Sequence, residues 1–394
     1  MLSKSLTASL WRCTLQRHRY IADSVEADLA DCMVFVGGPR QVGKTTFALS
    51  LLGGNQDESS SAYLNWDVLA DREKIMAGRL PAGKRRVIFD EIHKYAQWRN
   101  LMKGLFDKNR SSVSFVVTGS ARLDFYRKGG DSLQGRYHYY RLHPFSLMEC
   151  SPRPDKALVE RLLRFGGFPE PFVKADDRFH RRWMREHSSR VLSEDLRDLE
   201  RVREVSMLEL LLHHLPSCVG SPLSVNSLSK LLQVAHESIE HWLTIFDRLY
   251  ISYRVPPFGA KRIRAVRKEK KLYFWDWSRV ESPGARFENM VAGHLLKYCH
   301  FMEDTEGHSM ELRYIRDTDK REVDFVVLRD GRAEFAVECK SGERSEAPAC
   351  RYFRERTDIP KFFQVHLGEA DFGNAETGTR VLPFATFCRE LALP

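Results

Sequence analysis

Nine consecutive residues, Gly38, Pro39, Arg40, Gln41, Val42, Gly43, Lys44, Thr45 and Thr46, combine the groups that hold a polyanion. Glycines at 38 and 43 open backbone angles closed to other residues, so successive N–H groups can converge on one point. Lys44 adds a point charge and Thr45 a hydroxyl, and a helix starting at Lys44 would aim its positive end at the same place. The spacing Gly, four residues, Gly, Lys, Thr is that of a phosphate-binding P-loop. Lys44 would then reach the β and γ phosphates of ATP, and Thr45 would face a Mg ion bridging them.

A second group lies 46 residues on. Val87, Ile88 and Phe89 read as an apolar strand ending in Asp90 and Glu91. In a Walker B arrangement Asp90 holds Mg through a water, and Glu91 polarises the attacking water as a general base. Phe115 to Val117 then lead into Thr118, Gly119 and Ser120. Ser120 has two readings there, a sensor beside the γ phosphate and an ordinary strand cap.

Near the other end, Glu322-Val323-Asp324 opens one apolar strand and Glu338-Cys339-Lys340 closes another. A hairpin would bring Asp324, Glu338 and Lys340 together. Two carboxylates on adjoining strands can bind a divalent metal, with Glu288 from the preceding helix completing the set and Lys340 activating water against a phosphodiester. The competing reading is a set of ordinary charged strand ends.

Lys261, Arg262, Arg264, Arg267, Lys268, Lys270 and Lys271 crowd eleven residues. Such a run suits DNA phosphates; a solvated wing and a clamp on nucleotide are the alternatives. The pattern Ile239, Trp242, Leu243, Phe246 and Leu249 makes 236–249 an amphipathic helix. Its outward charges, Glu237, His241, Asp247 and Arg248, nearly cancel, which leaves both DNA reading and protein packing open.

These groups need scaffolds. Strands at Met33–Val36, Ala62–Asn65, Val87–Asp90, Val113–Thr118 and His138–Leu142 alternate with helical patterns, as in a parallel α/β sheet. Trp98, Leu101, Met102, Leu105 and Phe106 form the apolar face of one such helix. Charge-rich helical sequence then runs to about 215 across a GGFPEP turn, and 223–258 has the order of a winged helix-turn-helix. A helix from Phe287 and strands at Leu312–Ile315, Val323–Leu328 and Ala333–Glu338 make a further α/β unit. The expected divisions are 1–150, 151–280 and 281–394.

A chain of 394 residues, 43% hydrophobic and 29% charged with net charge +9, fits a multidomain protein that lives in water. No apolar run approaches a membrane span, which argues against a bilayer role. The charge permits nucleic-acid contact without requiring it. Eight scattered cysteines with no C-x-x-C pair are expected to be reduced thiols in a cytoplasmic protein. The basic, acid-free first 22 residues suit an amphipathic helix better than a transit peptide.

The stretches GPRQVGKTT (38–46), FDEIHKYAQW (89–98), VTGSARL (117–123), LQGRYHYYRLHPFSLME (133–149) and GGFPE (166–170) together resemble the AAA+-like bacterial and archaeal P-loop ATPases that carry a characteristic C-terminal domain. The resemblance implies an AAA+-like ATPase domain, a helical lid with a winged helix, and a C-terminal domain of PD-(D/E)XK nuclease-like fold with its E-V-D-F and E-x-K positions filled. It also puts Arg136 in a Leu-x-Gly-Arg element, as an arginine finger or sensor on γ phosphate or as a structural ion pair. Assembly into homo-oligomers is a further implication. The combined expectation is a Mg-dependent ATPase whose nucleotide state controls the lid and C-terminal domain, with an ATP-binding switch or assembly protein as the alternative.

Overall fold

The computed structural model describes residues 19–54, 57–119, 133–195, 205–259, 269–340, 342 and 345–394. By compactness the chain divides into two units, Met1–Pro144 with Phe168–Lys174, and Phe145–Gly167 with Ala175–Pro394. The second unit takes in residues 281–394 and all of 151–280 except Phe168–Lys174.

In the first unit, strands β1 (Met33–Gly37), β2 (Tyr63–Asn65), β3 (Arg86–Asp90), β4 (Ser114–Thr118) and β5 (Tyr137–Arg141) form a parallel sheet in the order β2-β3-β4-β1-β5. Helices α1 (Ala22–Asp28), α2 (Lys44–Ser50), α3 (Leu69–Met76) and α4 (Trp98–Asn109) accompany them. All five residues of β1 are buried, as a central parallel strand requires. Trp98, Met102, Leu105 and Phe106 of α4 share a core with Phe35, Phe89 and Phe115, so the helical apolar spacing does lay one face on the sheet. The expected strands are present with boundaries moved by one residue. Because β1 lies between β4 and β5, strand order reverses beside it, and the carboxyl ends of β1 and β3 meet the kind of crevice in which α/β sheets bind ligands.

After a one-turn helix at Leu147–Cys150, the second unit has helices α5 (Lys156–Phe165) and α6 (Asp177–Arg190), followed by α7 (Val205–His214), α8 (Val225–Leu232) and α9 (His236–Arg248). Strands β6 (Ser252–Val255) and β7 (Lys271–Phe274) then pair antiparallel. After α10 (Pro283–Glu306) come β8 (Met310–Arg316), β9 (Glu322–Arg329), β10 (Arg332–Cys339), α11 (Pro348–Arg354), β11 (Phe362–His366), β12 (Thr379–Pro383) and α12 (Phe384–Glu390). The five strands are ordered β12-β11-β10-β9-β8, with β8, β9 and β10 antiparallel and β10, β11 and β12 parallel.

Specific polar contacts explain why this unit is single. Fully buried Asn289 of α10 accepts the Phe274 N–H at 2.9 Å and donates to the Phe274 carbonyl at 2.8 Å, extending the β7 edge as another strand would. Trp277 Nε1 donates to the Leu162 carbonyl at 2.9 Å. Lys297 of α10 pairs with Glu149 at 2.6 Å, both side chains 2% exposed, and donates to Ser146 Oγ at 2.8 Å. None of these partners is adjacent in sequence.

Candidate functional site

The P-loop lies between β1 and α2. Gly38 (φ 139°), Gln41 (φ 61°) and Gly43 (φ 97°) all have left-handed or otherwise glycine-favouring backbone, which curls the loop. A Cβ on Gly38 would stand 2.3 Å from the Leu142 carbonyl oxygen, so the loop start tolerates no side chain. Pro39 is buried, while Arg40, Gly43, Lys44 and Thr45 are partly accessible and Thr46 exposed. Val42 is buried, and its carbonyl accepts from Arg19 Nη1 at 3.0 Å. Gln41 Oε1 is buried without a hydrogen-bond partner. The first-turn N–H groups of α2 have no intrahelical acceptors, and Lys44 Nζ reaches back to the carbonyls of Gly38 (2.9 Å) and Pro39 (2.7 Å). Positive groups thus gather in a small curved loop.

Asp90, at the end of β3 and 5% exposed, is the centre of a hydroxyl cluster. Thr45 Oγ1 donates to its Oδ2 at 2.8 Å, Tyr63 Oη to the same oxygen at 2.7 Å, and Thr118 Oγ1 to Oδ1 at 2.5 Å. Burial and the neighbouring Asp90 charge push the Tyr63 phenol well up, keeping it a donor. Thr45 and Asp90, both expected to face Mg, lie within hydrogen-bond distance of each other. Thr118, named in the sequence at the end of the adjacent strand, pairs laterally with Asp90 in the parallel sheet, and Tyr63 is an addition that no local pattern signalled.

Mg is commonly held by one or two protein oxygens together with substrate phosphates. The Thr45 hydroxyl and Asp90 carboxylate are hard oxygen donors already within hydrogen-bond distance of each other, and they fit such an ion.

Glu91 adopts the left-handed region (φ 58°), a conformation that costs a non-glycine residue roughly 1 kcal/mol or more and tends to persist at functional positions. Its N–H donates to the Thr118 carbonyl at 3.1 Å. Burial raises the Glu91 carboxyl above its ordinary pKa; the Lys94 ammonium, 3.2 Å away, opposes that, Asp90 adds to it and Lys44 opposes it again. Lys94 also binds Asp67 at 2.5 Å, and so holds the carboxylate from one side. A base whose affinity for a proton is raised by burial suits water activation.

One expected member is not brought to this loop. Arg136 precedes β5, and its carbonyl accepts from Met33 at the amino end of β1, the opposite end of the sheet from Gly38. There its Nε and Nη2 contact Asp107 Oδ1 and Oδ2 at 2.8 and 3.2 Å, so within one chain it is a structural ion pair and not a γ-phosphate contact. Ser120 lies outside the described residues.

The C-terminal carboxylates do converge, but around a lysine. Buried Lys271 Nζ lies 3.0 Å from Glu288 Oε1, 2.6 Å from Glu322 Oε1 and 3.1 Å from Asp324 Oδ1. Lys340 Nζ lies 2.6 Å from Glu338 Oε1, and Glu338 Oε2 accepts the Asp324 N–H at 3.3 Å. Burial first, and then the neighbouring Asp324, raise the carboxyls of Glu288 and Glu338. The expected grouping of Glu288, Asp324, Glu338 and Lys340 is real; as a metal site it does not fit, because an ammonium sits among the oxygens. Among the described residues no group of three or more His, Cys, Asp or Glu is arranged to hold a metal ion. Lys271 is also removed from the expected DNA-facing run, since it is 0% exposed. Residues 261–268 of that run lie outside the described residues.

The seven described cysteines are free thiols, and no helix of the described residues is long and apolar enough to cross a membrane.

Three family models match successive stretches of the chain. Residues 31–151 match an AAA domain, 156–280 a domain of unknown function (DUF8612) and 283–387 another (DUF4143). An uncharacterized protein of Methanocaldococcus jannaschii is 21% identical over 364 residues, covering 84% of this chain and 80% of its own. Uncharacterized proteins of Mycobacterium bovis and Mycobacterium tuberculosis are each 24% identical over 248 residues, 62% of this chain and 54% of theirs. Among solved structures, the Thermotoga maritima RuvB Holliday junction branch migration motor is similar at TM-score 0.30 and 16% identity, over 60% of this chain and 87% of that one. The Aeropyrum pernix ORC1 protein in complex with DNA is similar at TM-score 0.31 and 16% identity, over 71% and 93%. Likeness at these scores adds nothing to the functional reading. The family match and the loop-bearing parallel sheet make residues 31–151 an AAA-type P-loop domain.

Proposed function

We propose that the chain is a Mg-dependent ATP hydrolase. The observation that carries this reading is the joining of Thr45 to Asp90 at 2.8 Å, with Lys44 on the same loop and Glu91 next in the chain. The curled loop binds phosphate oxygens through its N–H groups, and Lys44 exchanges the Gly38 and Pro39 carbonyls for them. Thr45 and Asp90 would hold Mg, which when bound would neutralise phosphate charge. Glu91 orients a water and takes its proton, helped by the elevated proton affinity that burial gives it. Lys94 fixes the carboxylate that does so.

ATP turnover on this reading is slow and regulatory. On this reading the helix pair α8 and α9 with strands β6 and β7 is a winged helix-turn-helix, and α10 with the mixed sheet a PD-(D/E)XK-like domain. Recognition of a partner or of DNA is their proposed task. Charge on α9 does not favour base reading, since Glu240 and Asp247 are both engaged by Arg254 at 2.8 and 2.7 Å. Homo-oligomer formation, with Arg136 acting on a neighbouring copy, belongs to the same proposal.

Phosphate release from ATP by the full chain, measured beside binding of a fluorescent ATP analogue, tests the assignment. Glu91→Gln should bind the analogue and lose about 100-fold or more of phosphate release. Equal release by wild type and Glu91→Gln would refute the mechanism.

A further inference from the structure

A side-chain ammonium lies where the sequence pattern calls for a divalent ion. An ammonium has three N–H donors, and those of Lys271 face three carboxylates, from Glu288, Glu322 and Asp324. Other groups donate to the same carboxylates. Asp324 Oδ2 accepts the Cys339 N–H at 2.9 Å, Glu322 Oε2 pairs with Arg316 at 2.7 Å, and Tyr273 Oη donates to Glu288 Oε1 at 2.7 Å. Both oxygens of Glu338 are engaged, by Lys340 and by the Asp324 N–H.

By formal charge, four carboxylates (Glu288, Glu322, Asp324, Glu338) meet three cations (Lys271, Arg316, Lys340). The cluster is nearly neutral without any metal. Lys271 is also held from behind: its strand residue pairs with Val255 across the β6–β7 ladder and bridges to Pro222, so its backbone cannot slide away from the carboxylates. Lys271 is 0% exposed on a fixed strand, so an outside ion that took its carboxylates would leave the ammonium buried without partners.

We propose that Lys271 is the resident cation of this cluster, replacing a divalent metal, and that the C-terminal sheet carries no metal-dependent nuclease activity but a latent metal site that opens when Lys271 is removed. This inference does not depend on ATP hydrolysis and leaves that reading untouched. It makes the second unit a recognition or coupling module.

The test counts bound Mn(II) per full-length chain by electron paramagnetic resonance, with nucleotide omitted. Wild type and Asp324→Asn should give the same count. Lys271→Met should gain one Mn per chain, and Lys271→Met with Asp324→Asn should lose it again. Should Lys271→Met fail to fold, the wild type still decides: in native acylation read by mass spectrometry, Lys271 should stay unlabelled with and without millimolar Mn(II). Mn-dependent labelling of Lys271, an Asp324-dependent Mn in wild type, or plasmid cleavage abolished by Asp324→Asn would each overturn the proposal.

Discussion

Thr45 and Asp90 are hydrogen bonded to each other although they stand on different elements, the first turn of α2 and the end of β3. The same Asp90 oxygen also takes the Tyr63 hydroxyl, and its other oxygen takes Thr118. One buried carboxylate therefore ties the P-loop helix to three adjacent strands.

Tyr63→Phe removes one donor from that carboxylate while keeping the ring. Loss of a hydrogen bond to a buried charged group costs about 1.5–3 kcal/mol, so the variant should unfold at lower urea with an unchanged slope. Unfolding at the wild-type midpoint would show that the hydroxyl is dispensable.

Two glycine replacements should act in opposite directions. Gly38→Ala places its methyl 2.3 Å from the Leu142 oxygen at a φ of 139°, and should abolish binding of the fluorescent ATP analogue. Gly104, inside α4, has nothing within 4 Å of an added Cβ, and Gly104→Ala should stabilise the chain by about 0.5–1 kcal/mol through helix propensity and reduced unfolded-state freedom. Thermal melts and a binding titration on both variants check the contrast.

Arg136→Ala and Asp107→Ala should behave alike if the pair acts only within its own chain. Neither should alter phosphate release from ATP at protein concentrations where sedimentation shows monomer. Loss in Arg136→Ala that spares Asp107→Ala, appearing only as concentration rises, would instead mark Arg136 as acting on a neighbouring copy.

Acid should weaken the second unit through His294. Its Nε2 accepts the Leu147 N–H at 3.0 Å, so Nδ1 carries the proton and donates to the Met290 carbonyl at 2.7 Å. Burial, aided by nearby Lys297 and opposed by the Met290 bond, lowers the ring to about 4 from 6.5. The folded state thus prefers neutral imidazole. Its stability contribution is complete above pH 6.5 and is lost as pH falls toward 4, up to roughly 3 kcal/mol. Denaturant melts from pH 7 to pH 4 should show the decline, and His294→Gln should flatten it.

Lys297→Met leaves Glu149 buried without its cation, a change that typically costs about 3–5 kcal/mol. Lys297→Met with Glu149→Leu should recover much of that loss, since two apolar groups need no pairing. A double-mutant cycle by urea unfolding measures both.

The P-loop, the strand ending in Asp90 and Glu91, and the amphipathic face of α4 were all legible in sequence, because each depends on local spacing: a glycine pattern, an apolar run, a helical period. Residues that act by lateral contact were not. Tyr63 reaches Asp90 across a strand pair, and Arg136 finds Asp107 across 29 positions, where no local pattern points. The largest departure was Lys271. In sequence it closes a basic run and reads as a phosphate contact, while its strand pairing with Val255 turns it inward onto carboxylates 17 to 53 residues away. The contact that joins α10 to β7 was hidden for the same reason, since Asn289 mimics a strand edge with one side chain.

A metal ion is a matter of supply: it can be withheld by a chelator, exchanged for a neighbour in the periodic table, or diluted away. The positive charge at Lys271 is a matter of inheritance, delivered once per chain by the ribosome and never released. A cell depleted of divalent ions would idle the P-loop while leaving the carboxylates of the second unit as well supplied as before.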